Sequence, residues 1–153
     1  MKLRFALLIV FVFTLSACAS PASTTQPSTI EVTDAWVRAV GGMGSMGDST
    51  SSALFMTIQN HTEVTDTLLK AESDVAEMVQ IHLSEIDANG VSSMHEVSGV
   101  EIPAGGMSEL KSGSYHIMLM GLKRDIKEGD SITFTLTFKN AGKITIEAPV
   151  KAP

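Results

Sequence analysis

The stretch "SYHIMLMG", residues 114–121, holds one histidine and two methionines at every second position. Strand alternation sends Tyr115, Ile117 and Leu119 to one face, which suits a core, and His116, Met118 and Met120 to the other. Alone, that second face reads as packing around a hydrogen-bonded histidine. A second histidine in similar company changes the balance: His82 sits in "VQIHL", and Met94 follows in "GVSSMHEV" beyond an Asn89-Gly90 turn. Imidazole nitrogen and thioether sulfur together suit copper, above all Cu(I), and serve Mg²⁺ or Ca²⁺ poorly. Unlike cysteine, methionine forms no disulfide and sheds no proton to bind, so it lasts as a soft donor in an oxidising space.

These residues need strands to hold them, and the chain supplies them. Short runs rich in Val, Ile, Thr, Phe and Leu recur at 30–40, 52–59, 65–72, 79–86, 91–97, 113–122, 131–138 and 142–150, with no long helical period. Eight such runs between turn signals indicate an all-β sandwich or barrel. Turns are marked by Asn60-His61, Asn89-Gly90, Glu128-Gly129-Asp130 and Asn140-Ala141-Gly142. In "SITFTLTFKN", Ile132, Phe134, Leu136 and Phe138 alternate with threonines, as in a strand with one buried face. Trp36 and Phe55 are expected to give the core its bulk at the other end. The glycine-rich segment 39–52, "AVGGMGSMGDSTSS", reads as a long loop carrying Met43 and Met46.

Whether Met94 shares a face with His82 depends on one turn. A two-residue Asn89-Gly90 turn sets His82 opposite Val97 and points Met94 away, with His95 in its place. A three-residue Ala88-Asn89-Gly90 loop with left-handed Gly90 sets Asp87 opposite Val91 and Ser84 opposite Met94. The second arrangement is the one predicted here, with His82 and Met94 diagonal neighbours.

The chain opens on Lys2 and Arg4, an apolar run from Phe5 to Leu15, and Ser16-Ala17, the pattern of a secretion signal. The run is too short to span a bilayer, which takes about 20 residues. Leu15-Ser16-Ala17-Cys18 resembles a bacterial lipobox, which implies removal of residues 1–17, acylation of Cys18 and attachment to a membrane outside the cytoplasm, in the periplasm or at the cell surface. Residues 18–29 then form a Ser/Thr/Pro-rich tether, and 30–153 one domain. Cys18 is the single cysteine, so a lipidated chain has no free thiol. That excludes a disulfide framework, a cysteine zinc site, thiol catalysis and a blue-copper centre. Loss of Lys2 and Arg4 lowers Lys+Arg from 11 to 9 against 17 Asp+Glu, a net charge of −8, which argues against a nucleic-acid partner.

The spacing is also informative. His82, Met94 after eleven intervening residues, His116 after twenty-one more and Met118 two on resemble the H-(M)-x10-M-x21-H-x-M signature of PCu(A)C-type periplasmic copper chaperones. "DAWVRAV", "ALFMTIQN", "IPAG", "YHIMLMGL" and "KEGD" extend the resemblance over roughly residues 30–150. Leu83 stands where the family's optional methionine would be. The resemblance implies a cupredoxin-like Greek-key sandwich. It implies one copper, Cu(I) by preference with Cu(II) possible, held by His82, Met94, His116 and Met118. It further implies delivery to the dinuclear copper site of cytochrome c oxidase subunit II or to another acceptor, such as a thiol-containing copper chaperone.

Other candidates stand further off. His95 is expected to face solvent, His61 to sit in a turn and Met120 to neighbour the ligands, while Met43 and Met46 could add a thioether from their loop. Met56, Met78 and Met107 read as packing or surface. A copper buffer would use the same four ligands, and a metal-free interaction sandwich would use them only for packing. Catalysis is not expected, because no nucleophile has a paired base and no three-ligand hydrolytic zinc motif is present.

Overall fold

The computed structural model describes residues 30–40 and 50–152. The expected signal segment and tether, with Cys18, and also Met43 and Met46 lie outside the described residues. Ten strands follow one another: β1 (Ile30–Arg38), β2 (Ser51–Asn60), β3 (Asp66–Glu72), β4 (Ala76–Ile86), β5 (Ser92–Glu96), β6 (Val100–Ile102), β7 (Met107–Leu110), β8 (Tyr115–Leu122), β9 (Ser131–Phe138) and β10 (Gly142–Lys151). The hydrogen-bonded order is β5-β4-β8-β2-β1-β10-β9-β3-β6, with β7 also on β2.

The path folds into two layers at β1. Its N-terminal part pairs antiparallel with β2 until a register shift between Thr33 and Trp36, where Asp34 adopts φ 53°. Beyond that bulge, Val37 and Arg38 also pair parallel with Val150 and Lys151 of β10. Bulges bend a strand and sharpen its twist, so β1 closes one half-sheet over the other. The expected cupredoxin-like β-sandwich is the fold observed. One core joins both layers, with Leu54, Ile58, Ile81, Ile117 and Leu119 from one and Leu68, Ile102, Phe134, Leu136 and Phe138 from the other.

Alternation explains β9: Ile132, Phe134, Leu136 and Phe138 are buried between more exposed Ser131, Thr133, Thr135 and Thr137. The strand count exceeds eight because β6 and β7, of three and four residues, are too short to show a period. They are strands because β3 and β2 offer them ladders. β7 and β8 lie along one edge of β2, Leu110 opposite Met56 and Ile117 opposite Leu54, and the Lys111–Ser114 turn interrupts them.

Phe55 is buried, at 4% exposure, and Trp36 is half-buried, but neither joins the core cluster between the layers. Their partners in alternation, Val37 and Leu54, face inward, so Trp36 and Phe55 stack on the outer face with ring centroids 4.8 Å apart. A buried carboxylate closes the opposite end. Asp66 accepts backbone N–H bonds from Thr67 at 2.7 Å, Asn140 at 2.9 Å and Ala141 at 2.9 Å, tying the β9–β10 turn to β3. Asp66→Ala leaves those donors unmet and is expected to lower unfolding stability by about 1–3 kcal/mol, measured by denaturant titration.

Candidate metal centre

The outer face of β5-β4-β8-β2 carries the candidate site. His82 on β4 stands directly opposite His116 on β8, with ring centroids 6.1 Å apart. Their neighbours Ile81 and Ile117 point into the core, so parity sends both imidazoles outward.

The β4–β5 turn sets the position of Met94. Gly90 has φ 80°, its N–H bonds to Asp87 O at 3.0 Å, and Asp87 N–H bonds to Val91 O at 3.0 Å. The Asp87 carboxylate accepts from the N–H groups of Val91 and Asn89, both at 2.8 Å, and those bonds hold its pKa below the ordinary 3.8. This is the three-residue loop, and it puts Ser84 opposite Met94 and His82 opposite Glu96. Met94 shares the His82 face, while His95, opposite Leu83, takes the other and is exposed.

Met94 then crosses β4. Its Sδ lies 3.2 Å from His116 Nε2, although β4 separates their strands. Ser84 is the β4 residue beneath that span, opposite Met94 on one side and hydrogen-bonded through its N–H to Ser114 O on the other. A larger side chain there would block the thioether. Met94, Ser84, His116 and Met118 line one cavity of about 240 Å³, bounded also by Phe55 and Arg38.

Both rings have one nitrogen committed and one bare. His116 Nδ1 donates to Ser114 O at 2.9 Å; a carbonyl only accepts, so in the neutral ring Nε2 presents its lone pair to Met94 Sδ. His82 Nε2 lies 3.2 Å from Gln80 Oε1, and the Gln80 amide donates to Glu96 Oε2 at 2.9 Å, which fixes the amide oxygen toward the ring. That leaves His82 Nδ1 as a buried nitrogen with no hydrogen-bond partner. One tied N–H and one free lone pair is how metal-binding imidazoles are oriented. Among the described residues no group of three or more His, Cys, Asp or Glu could hold a metal, so the donors gathered here are nitrogen and thioether sulfur.

His116, Met94 and Met118 share the cavity, whereas His82 stands beside His116 without lining it. Met120 lies one step further along the same face, opposite Met78 and Ser51. His61 is away from the cluster, 3.0 Å from Glu31. Gln80 and the Ser114 carbonyl were not singled out from the sequence, and Ser84 entered only as the residue opposite Met94. Gln80 and Ser84 share the parity of His82, which is the signal that could have marked them.

Residues 30–150 match the model of the LpqE-like lipoprotein family. The chain belongs to that family. A candidate lipoprotein of Leifsonia xyli subsp. xyli, Lxx21020, is 34% identical to this LpqE-like chain over 156 positions, covering 97% of the chain and 89% of the relative. The copper-bound PCuAC domain from PmoF2 is similar with a TM-score of 0.66 and 25% identity, over 82% of the chain and 94% of that domain. Apo-DR1885 from Deinococcus radiodurans is similar with a TM-score of 0.62 and 27% identity, over 95% of each chain. Its Cu(I) form has a TM-score of 0.59 and 25% identity, over 84% of the chain and 81% of that protein. The PCu(A)C-type resemblance read from the sequence therefore holds for the LpqE-like chain and its fold.

Desolvation, then the neighbouring His116 and His95, lowers the His82 pKa below 6.5, with Glu96 opposing. The folded state thus favours neutral His82. Its contribution to stability is present above 6.5 and is lost as pH falls through the lower folded value, because the unfolded chain takes the proton first. A ring-proton NMR titration is expected to place the His82 midpoint below 6.5.

Proposed function

We propose that this chain is an extracytoplasmic copper carrier, anchored by lipid at Cys18, that holds Cu(I) through His82, Met94, His116 and Met118. The ion is its cargo, surrendered to an acceptor such as the dinuclear copper site of cytochrome c oxidase subunit II or a thiol-containing copper chaperone. One contact carries the reading: a bare imidazole nitrogen and a thioether sulfur, both lone-pair donors, meet at 3.2 Å with Ser84 beneath. A cation between them satisfies both, and soft donors of this kind select Cu(I). The fold shared with copper-bound PCuAC from PmoF2 and Cu(I)-DR1885 supports the choice of metal.

Two imidazoles and two thioethers are neutral, so bound Cu⁺ keeps its charge and stays attractive to an acceptor thiolate. Met94 is 52% exposed, whereas His82 and Met118 are half-buried and His116 is buried, which lets an incoming sulfur replace Met94 first and the others later. Handover of this kind is ligand exchange and needs no change of oxidation state.

Anaerobic Cu(I) titration against a chromogenic chelator tests the reading on the domain from Ile30 onward, which contains the whole core. Partners outside the coordination shell already tune metal affinity by about 10–100-fold, so Gln80→Ala is expected to weaken Cu(I) within that range and His116→Ala or Met94→Leu beyond it. Ser84→Phe keeps all four ligands and is expected to weaken binding by obstructing Met94. Unchanged Cu(I) affinity in His82→Ala, Met94→Leu, His116→Ala and Met118→Leu alike would overturn the proposal.

A further inference from the structure

A second pair of thioethers stands on the same face. Met78 of β4 lies directly opposite Met120 of β8, two positions along from Gln80 opposite Met118. The two-residue step preserves parity, so Met78 and Met120 look outward with His82, His116 and Met118. Neither lines the cavity that Met94 and His116 share.

Directly opposed residues hold their Cβ atoms about 4.5–5.5 Å apart. Methionine is unbranched and flexible, so the two sulfurs can close on one ion with the backbone unmoved. Packing does not account for Met78, which is 53% exposed, and Met120 opposite it is half-buried. Ser51 opposes Met120 on the other side and leaves the thioether room.

We propose that Met78 and Met120 form a second, weaker Cu(I) site made of thioethers alone, with Met118 standing between it and the His/Met cluster. Such a site is soft and neutral and binds without losing a proton, so it takes Cu(I) in preference to Cu(II) or Zn²⁺. Met118 and Met120 are two strand residues apart, roughly 6.5–7 Å. The Met118 sulfur, swinging about its own side chain, connects the two sites by ligand exchange. The choice of Cu(I) rests on the copper reading of the neighbouring cluster, but the pairing of Met78 with Met120 does not.

Methionine methyl NMR during anaerobic Cu(I) titration separates the two ideas. The first equivalent is expected to move the Met94 and Met118 methyl signals, and the second those of Met78 and Met120. Met78→Leu and Met120→Leu, which keep apolar volume, are each expected to abolish the second equivalent while leaving the first unchanged. A second equivalent that survives the double replacement, one that moves only Met43 and Met46, or none at all would overturn the proposal. If Met78 and Met120 respond while Met94 and Met118 stay still, the primary copper reading fails and this site stands.

Discussion

The geometry of the candidate metal-binding face depends on the register of one hairpin. A strand alternates its side chains with a period of two, so one residue more or less in the β4–β5 turn moves the whole of β5 to the opposite face. Gly90 at φ 80° and the Asp87 carboxylate on two backbone N–H groups hold the longer loop. Met94 faces His82 and His116 for that reason, and His95 does not. A turn some distance from the two imidazoles thus decides which element, sulfur or nitrogen, the edge strand presents.

The rest of the site consists of attachments that restrict the two rings. Ser114, in the turn between β7 and β8, offers His116 a carbonyl, and Gln80, itself held by Glu96, offers His82 an amide oxygen. Phe55 stacks beyond His116 at 6.4 Å between centroids, with Trp36 behind it and Arg38 over its ring at 5.4 Å. One side of the cluster is therefore backed by the buried Phe55 ring, while the Met94 side opens to water. Imidazoles backed in this way lose little freedom when they bind, because their orientation has already been set by packing.

Much of this was legible because strands repeat every two residues. β9 is recognisable from its threonine alternation, and the parity of His116, Met118 and Met120 follows from eight letters. β6 and β7 were not legible, since three or four residues carry no period and acquire strand geometry only from a partner distant in sequence. Trp36 and buried Phe55 pack on the outer face rather than between the layers, because bulk alone does not tell which face of a sheet a residue takes; the neighbours Val37 and Leu54 decide that. The Glu96–Gln80–His82 chain needed the β4–β5 register, which a turn motif suggests and only the fold supplies.

β5 ends the sheet order, with β4 as its neighbour, and all five of its residues are exposed. β8 runs between β4 and β2 with Ile117 and Leu119 sunk in the core. The candidate metal-binding face is therefore built like a vice with one fixed jaw and one that moves. His116 and Met118 sit on the fixed jaw, and Met94 on the strand that costs least to unzip. Loosening one short ladder opens the grip without disturbing the core.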